Sequence, residues 1–350
     1  VSLVDMINNM VINIFAAIAT GGAVICSQLL GCKKHEKACD STRHLMVITL
    51  FISMLVAAIA VIFRSSLLDL IFGAIEKPVK DNAVIYLFIT ALSYPFIGIQ
   101  SSCAAVFRSQ GNTKITMKIS ALMNLINVLV NAVLIFGFNM GAVGAGIGTL
   151  VSRAVAAVII FIALTKPQGQ LYIDLHKKYI PDFDMIGKMM RIGIPGGIEN
   201  SIFQLGRIVV VSIITTFGTT QIAANAVANN LDGLGCIPGQ AFNLAMITVI
   251  GRCVGAGDDK QTVYYIKKLM LIAYMIGFAA NGLILISMPL LIDMYNLSPE
   301  TSALTAKLVL IHNGCAILLW PASFTLSNAL RAASDIKFTM FVSIFSMIAF

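Results

Sequence analysis

Charge is what this 350-residue sequence has least of. Asp, Glu, Lys and Arg make up only 11% of it, whereas hydrophobic residues make up 58%. Soluble domains carry a charge on roughly a quarter of their residues, and a chain with so little polar sequence cannot cover a core of this size in water. The shortage excludes an ordinary soluble enzyme and a disordered chain. It indicates a protein that crosses the bilayer several times.

The sequence also lacks paired cysteine motifs and nucleotide-binding motifs. The seven cysteines are odd in number and form no CxxC pair, which excludes a disulfide framework. Cys32, His35 and Cys39 offer three ligands at irregular spacing, so we predict no metal site and no resident cofactor. Neither GxxxxGKS nor GxxxxGKT occurs, and ATP is therefore not expected to drive this protein directly.

What the sequence does contain is a series of long apolar stretches. A membrane helix needs about 20 mostly apolar residues, and these stretches lack the alternation of a membrane β-barrel. The predicted fold class is therefore an all-α membrane protein. The predicted spans lie near 1–29, 45–63, 82–106, 117–138, 142–164, 192–217, 219–250, 266–288 and 303–330, and a tenth begins near 338.

The basic residues orient these spans. Eighteen of the 24 Lys and Arg residues fall in one alternating set of loops and only four in the other. Cytoplasmic loops are enriched in Lys and Arg, so the first set is predicted to be cytoplasmic. The net charge of +8 then reflects membrane orientation rather than a nucleic-acid partner. We expect a monomeric multi-pass protein of the cell membrane, with the long loop at 166–191 in the cytoplasm.

An internal repeat divides the chain. FRSQGNTKITM at 107–117 aligns with LRAASDIKFTM at 330–340, and both follow spans that run in the same direction. The repeat predicts two six-helix bundles related by a pseudo-two-fold axis parallel to the membrane normal. Two complete repeats need about twelve spans, so we expect this chain to be incomplete at both ends. The predicted parts are an N-terminal lobe at 1–165, a linker with the start of the seventh span at 166–191, and a C-terminal lobe at 192–350.

Several stretches resemble the multidrug and toxic compound extrusion (MATE) family of cation-coupled exporters. They are GIPGGIENSIFQLG at 193–206, QIAANAVANN at 221–230 and IGRCVGAGDDK at 250–260. The resemblance covers essentially the whole chain, from about the second to the eleventh span of the family. It implies two six-helix lobes around a central cavity, and export of cationic or amphipathic organic compounds in exchange for Na⁺ or H⁺.

Two acids lie well inside the predicted spans, Glu199 and Asp232, with Asp5 near the start of the first span. Charge inside a bilayer is costly, so such residues are functional candidates. Glu199 follows Pro195 by one turn, and the proline frees a backbone carbonyl nearby. A carboxylate there can hold Na⁺, carry a proton or form a structural ion pair. Sodium-coupled members of the resembled family carry a Glu one turn further along, at the position of Phe203.

Asp232 belongs to a polar stripe, which is expected to face protein or a water-filled cavity. Arg207 is predicted at a similar depth, so a structural Arg207–Asp232 ion pair is the alternative to ion coupling by Asp232. His312 is the third ion-coupling candidate, because histidine titrates near neutral pH; simple packing is its alternative. The stripe consists of Asn225, Asn229, Asp232, Cys236 and Asn243.

The first lobe carries amides where the resembled family commonly has an acid, at Asn131, with an Asn one turn earlier. Hydrogen bonding between helices is the alternative role for these amides. Gly144 and Gly148 predict a close helix contact. Trp320 stands where sodium-type relatives have an Asp, and it is expected either to contact organic cations or to pack in the core. The predicted substrate cavity is lined by Gln204, Asn225, Asn229, Asn124, Asn127, Asn131 and Trp320.

Two other functions compete with a cation-coupled antiporter. A flippase for a lipid-linked sugar shares the two-lobe logic, but its cavity is expected to hold several basic residues, and only Arg153 and Arg207 lie within the predicted spans. An intramembrane enzyme needs a catalytic pair at one depth, and no GxSxG or HExxH motif occurs. The expected partners are therefore small organic cations or amphipathic compounds and the lipid bilayer, without nucleic acid.

Overall fold

The computed structural model describes residues 2–72, 77–167 and 169–349, and all regular structure in these ranges is helical. The α-helices in chain order are α1 (Ser2–Gly31), α2 (His35–Ile62), α3 (Arg64–Phe72), α4 (Lys77–Ala91), α5 (Tyr94–Ser109), α6 (Thr113–Ala132), α7 (Gly141–Thr165), α8 (Phe183–Thr215), α9 (Thr219–Gly255), α10 (Asp259–Asp293), α11 (Pro299–Trp320), α12 (Leu326–Ala332) and α13 (Ile336–Ala349). Short π-helical segments follow α6 at Val133–Gly137 and α11 at Pro321–Thr325.

The number of membrane-crossing helices agrees with the sequence. Within the described ranges, eight helices are long and apolar enough to cross a membrane. A ninth span is formed if α4 and α5 are taken together, since they meet at a bend of 44°. The bend falls at Leu92 and Ser93, just before Pro95, a residue that lacks the amide proton a continuous helix needs. The apolar part of α13, Ile336–Ser346, corresponds to the predicted partial tenth span.

The chain forms two compact units, Val1–Ser201 and Ile202–Phe350. The boundary lies inside α8, and the first half of α8 packs on α1. A methyl group built on Gly193 of α8 would lie 3.0 Å from the Cα of Ile18 in α1, and one built on Gly21 would overlap the carbonyl oxygen of Met189. Only glycine permits so close an approach of two backbones.

In the first unit, α1 packs against α2 and α5, and α5 and α6 both pack against α7. A large core on the loop side of α1 and α2 is built around Leu45, Phe107 and Ile160. A second core joins Phe15 and Tyr94, whose rings meet edge to face at 6.4 Å. In the second unit, α9 is the central helix and packs against α10, α11 and α12.

The segment between α7 and α8 contains no regular secondary structure in its described part but is fixed to the first unit. The amide of Gln110 donates to the carbonyl oxygen of Leu171 at 2.8 Å. Nζ of Lys177 lies 2.8 Å from Oδ1 of Asp40. The buried ring of His44 accepts from the backbone N–H of Asp182 at 2.9 Å. Two of these three contacts are made by the N-terminal part of α2, which therefore holds the segment in place.

Candidate ion-coupling and substrate sites

Glu199 lies half-buried in the interior of α8, one turn after Pro195. On the preceding turn, Gly196 and Gly197 are buried, and a methyl group on either would contact the side chain of Ala17 in α1. The helix thus places the carboxylate just past its tight crossing with α1. An acid at this depth is the feature expected of an ion-coupling residue, and the role remains a prediction.

Asp232 lies half-buried on α9 with the other members of its stripe. Asn225, Asn229 and Cys236 are also half-buried, which agrees with a helix face that is neither fully packed nor fully open. The thiol of Cys236 lies 3.8 Å from Oδ1 of Asp232, one turn away. The stripe is therefore a continuous polar surface in the second unit.

The predicted charge pair between Arg207 and Asp232 is not formed. Arg207 lies on an exposed face of α8, and no ion pair in the described residues joins it to Asp232. Similar depth along two helices does not fix the direction in which their side chains point, and that direction decides contact. Gln204, three residues before Arg207, is half-buried.

Of the three asparagines predicted to line the cavity in the first unit, two are hydrogen-bonded to each other and the third is exposed. Nδ2 of Asn131 donates to Oδ1 of Asn127 at 3.1 Å, and Nδ2 of Asn127 lies 3.3 Å from the Ser152 hydroxyl of α7. Asn124 is exposed. The pair thus makes a polar contact between α6 and α7, as the alternative reading of these amides predicts.

The predicted close helix contact at Gly144 and Gly148 is confirmed. A methyl group on Gly144 would lie 3.1 Å from Cβ of Leu134, and one on Gly148 would overlap Oδ1 of Asn131. That oxygen is buried and has no hydrogen-bond partner. The absence of a side chain at Gly148 is therefore what admits the Asn131 amide into the helix interface.

A second polar network in the first unit was not predicted as a site. The hydroxyl of Tyr86 donates to Oδ1 of Asp5 at 3.2 Å, and the hydroxyl of Tyr94 donates to Oδ1 of Asn8 at 3.0 Å. The guanidinium of Arg153 binds Ser93, the residue before Tyr94. The spacing of Asp5 and Asn8 on one helix face was visible in the sequence, but the two tyrosines reach them from 81 and 86 residues away.

Arg153 is held by a hydroxyl at the bend between α4 and α5. Its Nη1 donates to Oγ of Ser93 at 2.8 Å. Ser93 is fully buried, and its own hydroxyl donates to the carbonyl oxygen of Thr90 at 2.5 Å. The bend thus presents the Ser93 hydroxyl to an arginine inside the membrane span, in agreement with the rule that intramembrane charges are paired with polar groups.

Trp320 ends α11 and packs on both a helix and a ring. Gly239 of α9 lies so close to the indole that a methyl group there would overlap it. The centre of the Phe324 ring lies 5.2 Å from that of the indole, and the Phe203 ring meets Phe324 edge-on at 6.1 Å. The half-buried indole therefore has a fixed position with one part of its surface uncovered. His312 is half-buried two turns earlier on α11.

A cavity lies elsewhere, at the loop ends of α1 and α2. It has a volume of about 740 Å³ and is walled by the docked segment before α8. None of the predicted ion-coupling or substrate residues lines it. Its basic lining residues are Lys34, Lys37, Arg43, Lys177, Lys178 and Lys188.

These helices, with polar and acidic side chains inside their spans, define a multi-pass membrane protein. The sequence model of the MatE family matches residues 1–133 and 195–350. The chain belongs to this family of multidrug efflux transporters, whose members are transporters and not enzymes.

Known relatives agree with this assignment. The chain is similar to the uncharacterized transporter YisQ of Bacillus subtilis, with 27% identity over 99% of this chain and 76% of YisQ. It is also similar to the probable multidrug resistance protein NorM of Thermotoga maritima, with 22% identity over 95% of this chain and 72% of NorM. The chain thus spans about three quarters of the length of these relatives.

Solved structures show the same fold. An outward-facing multidrug resistance MATE transporter of the MOP superfamily matches with a TM-score of 0.91 and 18% identity, over 99% of this chain and 77% of that one. A MOP superfamily transporter from Pyrococcus furiosus matches with a TM-score of 0.90 and 18% identity, again over 99% and 77%. The predicted MATE-like fold class is confirmed.

Proposed function

We propose that this protein is a secondary antiporter that exports small cationic or amphipathic organic compounds in exchange for Na⁺ or H⁺. The observation that carries the proposal is Glu199, a half-buried carboxylate in the middle of α8. A charge at that depth is retained where it binds or releases an ion. The names of relatives such as NorM, which refer to multidrug resistance, support organic compounds as the substrate class.

Alternating access would supply the transport step. A membrane protein that carries one ion inward and one compound outward needs a site that opens to either side in turn. Glu199, Asp232 and His312 are the titratable candidates for the ion. The half-buried amides and the partly uncovered ring of Trp320 are the candidates for the substrate. Aromatic surface attracts organic cations through the ring quadrupole.

The basic loops support the proposed location. Their distribution favours a cell-membrane protein with the segment at 166–191 on the cytoplasmic side. A monomer is sufficient for this mechanism, because each chain would contain its own ion and substrate sites. The flippase alternative calls for several basic residues in the cavity, whereas only Arg153 and Arg207 lie within the predicted spans, which favours a cationic or neutral substrate.

Reconstitution of the full-length protein in vesicles tests the proposal. Efflux of an organic cation such as ethidium is followed under a Na⁺ gradient and, separately, under an H⁺ gradient. One gradient is expected to drive efflux, and Glu199→Gln is expected to reduce it to the level of empty vesicles. Glu300→Gln is the matched control, because Glu300 is exposed at the start of α11. Gradient-independent efflux, or a fully active Glu199→Gln protein, would contradict the mechanism.

A further inference from the structure

Two buried asparagines in the second unit lie outside every predicted site. Asn281 of α10 is 3% exposed and Asn313 of α11 is fully buried. Asn281 stands twelve residues before the end of α10, and Asn313 fourteen residues after the start of α11. At roughly 1.5 Å per residue, both lie about 20 Å from the same end of these adjacent helices. They are therefore at one depth, deep inside the span.

The hydrogen bonds of each amide fix which atom points where. Nδ2 of Asn281 donates to the carbonyl oxygen of Gly277 at 2.9 Å, and Nδ2 of Asn313 donates to that of Val309 at 3.3 Å. Each acceptor is a carbonyl on the previous turn, and only the amide nitrogen can donate to it. The two Oδ1 atoms are thereby turned away from their own helices. Both are buried and have no hydrogen-bond partner.

The two oxygens converge on one glycine of the neighbouring helix. A methyl group built on Gly235 of α9 would lie 2.9 Å from Oδ1 of Asn313 and closer still to Oδ1 of Asn281. Gly235 is itself buried. The missing side chain thus lets both amide oxygens reach a cradle at the α9 backbone, between α9, α10 and α11. Nδ2 of Asn281 also points to this glycine and donates to the carbonyl oxygen of Gly235 at 3.4 Å, which leaves the two Oδ1 atoms as the unpaired groups of the cradle.

The charge of the neighbouring groups determines which ligand this cradle favours. In a membrane interior an acceptor without a partner is costly, so the two oxygens require a hydrogen-bond donor or a cation. Asp232 lies three residues before Gly235 on α9, which is the spacing of neighbours on one helix face. Its carboxylate contributes negative potential in a region of low dielectric. That potential favours a cation over a neutral water molecule.

We propose that Asn281, Asn313 and the cradle at Gly235 bind a monovalent cation, Na⁺. Neutral carbonyl-type oxygens are the ligands that hard cations take. A single carboxylate nearby supplies the charge for a monovalent ion but not for a divalent one. The choice of Na⁺ rests on the proposed function, whereas the existence of the site rests on the converging oxygens alone. The site is separate from Glu199 on α8.

Thermal unfolding of the purified full-length protein in nanodiscs measures this binding without transport. NaCl is titrated against choline chloride at constant ionic strength, with KCl in a parallel series. A ligand that binds only the folded state raises the unfolding temperature as its concentration passes its dissociation constant. We expect a saturable rise with Na⁺ that choline does not produce and that K⁺ produces only at higher concentration.

Two variants and a matched control locate the ion. Gly235→Ala fills the cradle and is expected to abolish the Na⁺-dependent rise. Gly233→Ala adds the same methyl group two residues earlier on α9, where no atom lies within 4 Å, and is expected to keep it. Asn313→Ala removes one oxygen without adding bulk, so it tests the site even where Gly235→Ala does not fold. We expect it to raise the half-saturating Na⁺ concentration about tenfold or more, the scale on which metal-site substitutions act.

Three outcomes would overturn the proposal. Equal effects of Na⁺, K⁺ and choline would assign the cradle to a structural water molecule. An unchanged half-saturating Na⁺ concentration in Asn313→Ala would place the ion elsewhere. Loss of the Na⁺ effect in Glu199→Gln, with retention in Asn313→Ala, would assign the ion to α8. Vesicles that export substrate only under an H⁺ gradient would change the proposed coupling ion but would leave a positive binding result standing.

Discussion

The ammonium group of Lys177 lies 2.8 Å from the carboxylate of Asp40, although 137 residues separate them in sequence. This pair joins the irregular segment before α8 to the first turns of α2. The same helix holds the segment through His44, and Arg43 donates to the carbonyl oxygen of Lys177. The segment between α7 and α8 is therefore held against the first turns of α2. It forms one wall of the cavity of about 740 Å³ that is lined by basic residues.

Breaking the pair should loosen this segment without unfolding the protein. We expect Asp40→Asn to speed tryptic cleavage at Lys177 and Lys178, because an undocked chain is cut faster. The unfolding temperature should stay nearly constant, since exposed ion pairs add little to stability. Asp69→Asn is the control, as it breaks the Lys80–Asp69 pair elsewhere in the same unit. Equal cleavage rates in both variants would contradict the docking role of Asp40.

The docking of this segment should be insensitive to pH in the physiological range. A hydrogen bond to the Asp40 carboxylate raises the pKa of Lys177, so its contribution is full below the ordinary lysine value and is lost only as pH rises through the raised pKa. The backbone N–H of His176 lowers the pKa of Asp174, so that contribution is lost only as pH falls through the lowered pKa. Hydrogen exchange of residues 169–182 should be protected alike from about pH 5 to about pH 9, after correction for intrinsic exchange. A step in protection near neutral pH would contradict this expectation.

The crossing of α1 and α8 should not tolerate a single added methyl group. Gly21→Ala places a Cβ against the backbone of Met189, which cannot move without shifting α8. We expect a loss of about 1–3 kcal/mol in the free energy of unfolding. Gly187→Ala on α8 is the matched control, because no atom lies within 4 Å of its added methyl group. A Gly21→Ala protein as stable as this control would mean that the two helices can separate at no cost.

Removing the Asn127 amide should destabilise the contact between α6 and α7. Asn127→Ala takes away the acceptor of Asn131 Nδ2 and leaves the nitrogen of that half-buried side chain without it. The expected cost is about 1–3 kcal/mol in the free energy of unfolding. Asn124→Ala, on the exposed face of the same helix, should change it by less than about 0.5 kcal/mol. Similar effects of the two substitutions would show that the amide pair contributes nothing specific.

Trp320 gives a direct optical test of the substrate site, since it is the only tryptophan in the chain. Tetraphenylphosphonium is an organic cation that does not absorb at the emission wavelength of tryptophan. Its binding should change the fluorescence of Trp320 in a saturable way, because the indole is only half-buried. Trp320→Phe removes the signal and serves as the blank. Transport of this cation without any change in emission would separate Trp320 from the substrate cavity.

The periodic features of the fold were predictable. Apolar length decided the nine spans, and the excess of basic residues in alternate loops decided their expected orientation, because both depend on the transfer of side chains between water and lipid. The glycines at 144 and 148 were also predictable as a helix contact, since small residues at this spacing recur where membrane helices meet.

The pairing of side chains across helices was not predictable. Arg207 and Asp232 lie at similar depths, yet Arg207 points to an exposed face and no pair forms in the described structure. Asn124 shares a sequence spacing with Asn127 and Asn131 but not their surroundings. Depth follows from counting residues along one helix, whereas contact depends on how two helices are rotated about their axes.

The sequence by itself determined that this protein is a bundle of membrane helices of a transporter family, because hydropathy and short motifs are properties of single segments. Only the tertiary structure decided which polar groups meet. It brought Tyr86 to Asp5, Lys177 to Asp40, and the oxygens of Asn281 and Asn313 to Gly235. Each of these contacts joins residues more than 40 positions apart, so its formation depends on the packing of whole helices, which no local pattern specifies.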